Sequence, residues 1–364
     1  MANTYFFTGF PGFIANNLIR HLIRKQEVNH IYLLVLPHMM EKAEQVVQSI
    51  ANDENISSEQ FQLLSGDITQ PDLGIEESIQ PYLQEQITHV FHLAAIYDLA
   101  VPKAIAYNVN VNGTRHVNDW VQKLTALKRY IYFSTAYVSG KRTGKILETE
   151  LDQGQTFKNH YESTKYEAEV LVDALKEQVP TTIIRPGVVC GDSKTGETIK
   201  FDGPYFMLNL FDSLKKFPFI PYIGKSQAYG NFVPVDYIFL ATVYLAHAEV
   251  SAGRTYHLTD PNPYPMRDVY AMLMEEYLKR MPKGTIPTRV AKAGLSLSYM
   301  RKWLRVEKES LDYSRLIAEY DCTQAQQDLK GSGIECPDFK DVAPVMVNFY
   351  RENKNNPNYQ IHIS

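Results

Sequence analysis

Short apolar runs alternate along this sequence with segments whose apolar residues have helical spacing. Between the runs, residues 14–24 and 162–177 place apolar side chains three or four positions apart, which predicts amphipathic helices. Nearly continuous apolar strands joined by helices are typical of a parallel sheet that is covered on both faces. We therefore predict an α/β fold with a doubly wound parallel sheet. The predicted strands are 4–7, 31–36, 62–64, 89–93, 129–133, 181–184 and 255–258.

The composition argues against several classes of protein. The chain has 364 residues, which fits one large α/β domain or one domain with a sizeable insert. Its formal charge of −4 makes a nucleic-acid-binding protein a poor interpretation. Since no apolar run reaches the roughly 18 residues that a membrane span needs, we predict no transmembrane segment. Cys190, Cys322 and Cys336 lack metal-site or CxxC spacing, which predicts no metal site and a cytoplasmic protein with reduced cysteines.

A glycine turn lies between the first predicted strand and the first predicted helix. Gly9, Gly12 and Ala15 follow one another at intervals of three, which departs from the usual G-x-G-x-x-G spacing. Glycine permits a tight turn and lets backbone N–H groups approach a pyrophosphate at the helix N-terminus. A turn without a ligand is the alternative, but the position after the first strand favours a dinucleotide site.

The end of the second strand bears on the choice between NAD and NADP. An acid there would bind the ribose 2′-OH of NAD, whereas an arginine suits the 2′-phosphate of NADP. Leu36 and Pro37 occupy this position, and His38 and Lys42 follow. Because no acid at the strand end would repel a phosphate, the pattern favours NADP, with ordinary solvated loop residues as the alternative.

Two further strand ends carry candidate cofactor contacts. Asp67, with the amide of Ile68, could contact an adenine, although an Asp after Gly is also common in plain turns. Residues 92–95 end the fourth strand with small side chains, as a loop beneath a cofactor requires. We interpret His92 as a packed structural residue and Asn110 as a support for neighbouring loops.

Three residues form a candidate catalytic set. Tyr161 and Lys165 are four apart on a predicted helix and so share a face. An ammonium beside a phenol favours the ionised form, which would make the phenol an acid or base near neutral pH. Thr135, after the fifth strand, could donate to a substrate oxyanion. Each motif alone has a structural explanation, since Tyr-x-x-x-Lys is common in helices and a Ser-Thr pair often caps one. Their order along the chain favours one site.

Together these motifs resemble those of the extended short-chain dehydrogenase/reductase superfamily. Within it, residues 134–138, 191–196 and 202–206 are most similar to fatty acyl-CoA reductases and thioester reductase domains. The resemblance implies a Rossmann fold of the extended type, with Thr135, Tyr161 and Lys165 as catalytic residues. The implied cofactor-binding residues are Thr8, Gly9, Pro11, Gly12, Phe13, Ile14, Asp67, Ile68, Leu93, Ala94, Ala95, Tyr161, Lys165, Pro186, Gly187, Val188 and Val189.

The resemblance also implies an activity. We expect reduction of an acyl thioester, carried by coenzyme A or an acyl carrier protein, to an aldehyde or alcohol. Many reductases of this branch have Arg where Leu36 stands, so a preference for NADP is not inherited from the family. One alternative is a dehydrogenase or epimerase acting on a sterol, a flavonoid or a nucleotide sugar. Another is a binding or regulatory module that retains the fold without the chemistry.

The strand–helix rhythm breaks after Gly191. Residues 192–230 are rich in Gly, Pro and aromatic residues, and 262–350 are mostly helical in pattern. We therefore predict a smaller, mostly helical substrate-binding region beside the dinucleotide-binding domain. The predicted division assigns 1–191 and 232–260 to the Rossmann domain, 192–231 and 261–353 to the substrate-binding region, and 354–364 to a C-terminal tail.

Two segments of the substrate-binding region have a pattern with more than one interpretation. The first supplies aromatic and Met side chains that suit either a deformable acyl pocket or a plain core. They are Phe201, Tyr205, Phe206, Met207, Phe217, Phe219 and Tyr222. The second, residues 289–305, is basic and amphipathic. It could make peripheral contact with a membrane, bind the phosphates of coenzyme A or a carrier protein, or pack as a solvated helix on the domain.

Overall fold

The structure, a computed structural model, describes residues 2–97, 102–225, 227–308, 311 and 317–361. Its main sheet has seven strands, and each hydrogen-bonded pair of neighbours is parallel. All seven predicted strands are confirmed. We number them β1 (Asn3–Thr8), β2 (Val28–Val35), β3 (Phe61–Ser65), β4 (His89–His92), β5 (Arg129–Phe133), β6 (Thr181–Pro186) and β7 (Thr255–Leu258).

The strand order places the ends of distant chain segments side by side. The order across the sheet is β7-β6-β5-β4-β1-β2-β3, so the direction of winding reverses between β1 and β4. In open α/β sheets, ligands bind outside the carboxyl ends of the strands at such a reversal. The predicted glycine turn and the loop after β4 therefore meet at this position.

Helices cover both faces of the main sheet, as the doubly wound fold requires. One face shares an apolar core with α1, α2 and α8, and the other face with α3, α5 and α6. A π-helical stretch, Tyr107–Asn112, joins α4 to α5. The helices are α1 (Phe13–Lys25), α2 (Met40–Glu54), α3 (Gln80–Gln86), α4 (Lys103–Ala106), α5 (Gly113–Val121), α6 (His160–Asp173), α7 (Tyr205–Leu214), α8 (Val235–His247), α9 (Met266–Leu278), α10 (Thr288–Leu295), α11 (Ser298–Leu304), α12 (Thr323–Leu329) and α13 (Phe339–Asn353).

A third apolar cluster lies outside the main sheet. It is built from α7, α9 and α13, and short two-stranded ladders connect the segments around it. Within residues 232–260, which the sequence assigns to the Rossmann domain, Phe232–Pro234 pairs with Val188–Cys190 in a separate parallel ladder, whereas α8 packs on the main sheet and β7 belongs to it. The chain leaves β6 at Pro186, which has no N–H to continue the ladder. The other short pairs are Gly144–Ile146 with Ala318–Tyr320, Tyr222–Ile223 with Thr285–Ile286, and Tyr229–Gly230 with Tyr264–Pro265.

A buried ion pair fixes α6 against the sheet. Arg185 in β6 donates from Nε and Nη2 to Oε1 of Glu169 in α6, at 2.8 and 2.5 Å. The Ser134 hydroxyl donates to the other carboxylate oxygen. Nη1 of Arg185 contacts the carbonyl oxygen of Glu148 at 3.3 Å and Nε2 of His257 at 3.1 Å. Because all these groups are buried, removing one partner would leave a charge without compensation.

In the part of the chain that the structure describes, no helix is both long enough and apolar enough to cross a membrane. The three cysteines are free thiols, two of them buried.

Candidate active site

Strand register brings the predicted site segments to one edge of the sheet. Thr8 at the end of β1 pairs with His92 at the end of β4. His92 in turn pairs with Tyr132 in β5, and Phe133 pairs with Ile184 in β6. The glycine turn, the loop after β4 and the segments that follow β5 and β6 therefore all leave the sheet side by side.

The glycine turn has the geometry of an anion-binding site. Gly9 adopts a φ of +85°, and a Cβ there would lie 2.9 Å from the backbone nitrogen of Ala94. Gly12 donates to the carbonyl of Gly9 at 2.9 Å and caps α1. A glycine cap has no side chain to receive the first amide groups, and Phe13 and Ile14 bring no carboxylate to this turn. The N-terminal N–H groups of α1 thus suit a phosphate.

A directed series of hydrogen bonds joins β1 to the segment after β4. The Thr8 hydroxyl accepts from the amides of Leu93 and Ala94, each at 3.1 Å, and lies 2.8 Å from Nδ1 of His92. Nε2 of His92 lies 3.1 Å from the hydroxyl of Thr114, which itself donates to the Asn110 carbonyl at 2.6 Å. Since a hydroxyl has one proton, Nε2–H donates to Thr114, and Nδ1 accepts from Thr8.

His92 is consequently a structural residue, as its sequence context indicated. Burial, with a smaller effect of the Lys165 charge, lowers the pKa of His92 to about 3. Asn110 also supports the site: its side-chain oxygen accepts from the Ile96 amide at 2.8 Å, and its nitrogen donates to the hydroxyl of Thr164 at 3.0 Å. Asn110 therefore links the loop after β4 to α6.

The ends of β2 and β3 hold the other candidate cofactor contacts. Leu36 follows β2, and His38 and Lys42 are exposed beyond it. After β3, the Asp67 carboxylate accepts from the Thr69 amide at 2.8 Å, which is a turn contact of the kind that its sequence context also allowed. The buried side chain of Ile68 packs against α5. The roles of these residues toward a cofactor stay predictions.

The start of α6 fixes the position of Tyr161. Asn159 caps the helix by accepting from the Glu162 amide at 2.9 Å, and the buried Glu162 carboxylate accepts from the Lys158 amide at 3.0 Å. This reciprocal pattern is a variant of the capping box. It places Tyr161 in the first turn of α6. Thr135, which caps the short helix Ala136–Ser139, makes a side-chain hydrogen bond with the phenol.

The prediction that Lys165 brings the pKa of Tyr161 towards neutrality is wrong, because burial outweighs any such effect. We expected the ammonium to favour the phenolate, but burial raises the pKa of Tyr161 to about 12, and the hydrogen bond to Thr135 only partly opposes this effect. Nζ of Lys165 donates to the Tyr132 hydroxyl at 3.0 Å and to the Phe133 carbonyl at 2.6 Å. Burial also lowers the pKa of Lys165 to about 7, against the influence of Glu169.

Tyr132 is a site residue that the sequence analysis missed. Its ring lies 4.4 Å from Nζ of Lys165 and 5.5 Å from the ring of His92, measured to the Tyr132 ring centroid. Tyr132 therefore contacts both the lysine and the histidine between β4 and α6. The sequence signal was weak, since a tyrosine within an apolar strand is more simply interpreted as core.

The segment after β6 lies at the same edge. Pro186 is buried, and the Gly187 amide donates to the Leu258 carbonyl at 3.1 Å. A Cβ on Gly187 would lie 2.6 Å from the side-chain oxygen of Asn231, so only glycine fits this packing. Val188 and Val189 form the half-buried ladder that follows.

The aromatic and Met side chains of residues 201–222 fall into three groups by their burial. Phe201 and Tyr205 are fully buried in the third apolar cluster, which matches the plain-core interpretation. Phe206, Met207 and Tyr222 are partly buried. Phe217 and Phe219, at 50% and 60% exposure, are surface residues. Phe201 and Tyr205 are therefore core residues, and a role of the other five in an acyl pocket stays a prediction.

Comparison with known proteins identifies similar sequences and a similar fold. A family model described as Male sterility protein, an NAD-binding family, matches residues 7–242. The non-canonical nonribosomal peptide synthetase cpsA of Aspergillus campestris is 30% identical over 302 residues, which cover 76% of this chain and 28% of that protein. The fatty acyl-CoA reductase wat of Drosophila melanogaster is 26% identical over 266 residues, covering 64% of this chain and 51% of that protein.

Among solved structures, the terminal R domain of the myxalamid PKS-NRPS biosynthetic pathway has the same fold. It matches with a TM-score of 0.81 at 24% sequence identity, covering 97% of this chain and 91% of that one. The chain thus has nearly the full extent of an R domain, but it spans about a quarter of cpsA and about half of wat.

Because Gly9 packs closely against Ala94, a methyl group added at Gly9 should lower both stability and cofactor affinity. We expect Gly9→Ala to lower the free energy of unfolding by more than about 2 kcal/mol and to weaken NADPH binding at least about tenfold, because left-handed strain adds to the clash. Urea unfolding and NADPH fluorescence titration measure the two effects. Gly154→Ala is the matched control, since Gly154 has a φ of +67° and open space around it. An equal loss of stability in both variants would contradict the assigned contact.

The buried Lys165 predicts a specific pH dependence of stability. In the unfolded chain its pKa is about 10.4, whereas in the folded protein it is about 7. Between these pH values the unfolded state binds more protons, so the contribution of Lys165 to stability rises with pH and is lowest below about pH 7. We expect the free energy of unfolding of the wild type, relative to Lys165→Met, to increase across this window in urea titrations. Parallel pH curves for the two proteins would show that the lysine is not desolvated.

Proposed function

Because the chain belongs to the male sterility protein family, an extended short-chain dehydrogenase/reductase group that includes fatty acyl-CoA reductases and thioester reductase domains, we propose that it reduces an acyl thioester with NADPH. The observation that carries the proposal is the protonated Tyr161 phenol, held beside Thr135 at the carboxyl edge of the sheet. The chain is an NAD(P)-dependent oxidoreductase; the thioester and the choice of NADPH are the proposed parts.

The residues at the sheet edge fit a dinucleotide. The N–H groups at the start of α1, which no side chain caps, would hold its pyrophosphate. Ala94 and Ala95 would lie beneath the ribose, Asp67 and Ile68 beside the adenine, and the backbone of residues 186–189 beside the nicotinamide. A bound nicotinamide would supply the hydride for the reduction.

Tyr161 and Thr135 act on the oxygen of the substrate. As a thioester carbonyl is reduced, its oxygen becomes an oxyanion, which hydrogen bonds from both hydroxyls would stabilise. Tyr161 then donates its proton, which leaves a hemithioacetal. Cleavage of the carbon–sulfur bond releases the thiol and gives an aldehyde. A phenol whose pKa is about 12 stays protonated at neutral pH, as a proton donor must.

Lys165 would act on the phenol and on the cofactor. Its ammonium is held by Tyr132 and the carbonyl of Phe133, and we propose that it contacts the nicotinamide ribose in the complex. A positive charge at this point would make Tyr161 a stronger acid during proton transfer. Because the pKa of Lys165 is about 7 in the free protein, the charge that it brings depends on pH near neutrality.

The proposed substrate class is supported by the similar proteins and by the composition of the predicted substrate-binding region. We propose that residues 192–231 and 261–353 bind the substrate and that residues 354–364 form a tail. An enzyme for nucleotide sugars should have a polar, Arg-rich segment here, whereas residues 192–230 are rich in aromatic and apolar side chains. This difference favours the acyl thioester over the dehydrogenase and epimerase alternatives.

Turnover of acyl thioesters is the direct test of the proposal. We expect the purified chain to oxidise NADPH in the presence of acyl-CoA and to release free thiol together with aldehyde or alcohol. Tyr161→Phe should lower the rate at least about a thousandfold, because the proton donor is lost, while NADPH titration changes little. NADPH oxidation and thiol release measure the rate.

Tyr166→Phe is the matched control for this experiment. Tyr166 lies on the same helix, and its ring packs on Phe157 at a centroid distance of 5.1 Å; we expect nearly normal turnover. Absence of thiol release with every acyl chain length would reject the thioester as substrate. Unchanged turnover of Tyr161→Phe would reject the assigned acid.

The residues that follow β2, from Leu36 to Lys42, predict a preference for NADPH over NADH. We expect NADPH to bind more tightly than NADH, and Lys42→Ala to reduce the difference, because this exposed cation is near enough along the chain to meet a 2′-phosphate. Fluorescence titration of both nucleotides measures the ratio of dissociation constants. Tighter binding of NADH to the wild type would overturn the preference for NADP.

A further inference from the structure

Two segments outside the sheet concentrate positive charge. Residues 215–225 and 279–305 contain 11 Lys and Arg and no Asp or Glu, whereas the whole chain has 37 Lys and Arg against 41 Asp and Glu. The rest of the chain therefore carries 26 basic residues against all 41 acidic ones. The charge of the protein is strongly asymmetric although its net value is small.

The two segments form one surface, which we call the basic face. Tyr222–Ile223 pairs with Thr285–Ile286 as a parallel ladder. Arg280 donates to the carbonyls of Lys215 and Phe217, at 2.9 and 3.0 Å. Helix α11 packs on α7, and the Trp303 carbonyl accepts from the hydroxyl of Ser213 at 3.1 Å, just before the first segment begins.

The basic face also exposes large apolar side chains. It contains seven of the 17 such side chains that are exposed in the described part of the chain. Tyr299 and Leu297 are the most exposed of them, at 76% and 62%. The seven are Phe217, Phe219, Met281, Val290, Leu297, Tyr299 and Trp303. The two segments themselves contain no acid, although Asp212 and Glu276, which lie just outside them, pair with Lys215, Arg305 and Lys279. Exposed apolar side chains grouped in this way mark an interaction site.

The charges that point outward are mainly lysines. Arg305 is held by the Asp212 carboxylate at 2.9 Å, and Arg280 by the backbone carbonyls named above. Lys216, Lys283 and Lys302, in contrast, are exposed. Lysine is depleted at protein–protein interfaces, in which arginine is enriched. Exposed lysines beside Trp, Tyr and aliphatic side chains instead match a surface that lies in the headgroup region of a bilayer.

We propose that the basic face docks this protein on an anionic lipid surface. Leu297, Tyr299 and Trp303 enter the boundary between headgroups and acyl chains, and the lysines contact lipid phosphates. The attachment is peripheral, because each helix involved is short and packs on the folded domain through its other side. This inference is independent of the reaction proposed above and would stand if the substrate were not a thioester.

Vesicle flotation tests the proposal. We expect the full chain to float with vesicles of equimolar phosphatidylcholine and phosphatidylglycerol, to remain unbound with pure phosphatidylcholine, and to dissociate at high salt. Replacing Lys216, Lys283 and Lys302 together by Glu should lower the partition coefficient at least about a hundredfold, because each lysine near an anionic surface contributes about fivefold. Leu297→Ser with Tyr299→Ser should also abolish flotation, but without removing charge.

Matched variants separate surface binding from net charge and from misfolding. Replacing Lys25, Lys141 and Lys330 by Glu makes the same change in charge at exposed positions elsewhere, and Tyr82→Ser with Val250→Ser makes a comparable apolar change. We expect these controls to float like the wild type. All variants should keep the thermal unfolding midpoint and NADPH affinity of the wild type, because none of the substituted residues touches the candidate active site.

Three outcomes would overturn the proposal. The first is equal flotation of the basic-face variants and their controls. The second is absence of binding to the anionic vesicles at low salt. The third is saturable binding of a purified acidic acyl carrier protein that the basic-face variants lose, without any binding to vesicles. That third result would assign the surface to a protein partner.

Discussion

The buried ion pair between Arg185 and Glu169 connects the elements that carry the candidate catalytic residues. It joins β6 to α6, and through Ser134 it reaches the residue that precedes Thr135. Glu169 also lies one helical turn after Lys165, so the same carboxylate that neutralises the guanidinium supports the charge of the lysine. Buried pairs of this kind often add little net stability. The pair contributes position, since Glu169 lies on the helix that carries Tyr161 and also accepts from Ser134, the residue before Thr135.

Most of the fold was predictable because apolar periodicity and strand length determine a parallel sheet. The seven strands and their parallel, doubly wound arrangement follow from the alternation of strands and helices, whereas the order of the strands is known only from the structure. The separate ladder of Phe232–Pro234 was not predictable, because it depends on where β6 ends. Pro186 removes an N–H and Gly187 packs against Asn231, so the chain turns into a separate ladder. The apolar pattern of a three-residue strand does not indicate which other strand it pairs with.

The candidate site was predictable in its members and less so in its electrostatics. Thr135 and Tyr161 lie together as their order along the chain implied. The predicted pKa of Tyr161 was wrong, because the four-residue spacing of Tyr161 and Lys165 on a helix indicates proximity but not the degree of desolvation. Burial controls the pKa values of both Tyr161 and Lys165, and burial depends on elements far away in sequence. Tyr132 was missed for the same reason, since its contact with Lys165 joins β5 to α6 across 33 positions.

The donor order around His92 keeps the imidazole neutral between β1 and the segment after β4. Both acceptor positions of the Thr8 hydroxyl receive amide protons, and its own proton goes to Nδ1 of the ring. A proton on Nδ1 would face a hydroxyl that has no free lone pair, so charging the ring would cost one of the hydrogen bonds between Thr8 and the segment after β4. The neutral imidazole therefore links Thr8 to Thr114, with Nδ1 as acceptor and Nε2–H as donor. The alignment of β1 with β4 consequently persists through the pH range in which an ordinary histidine changes its charge.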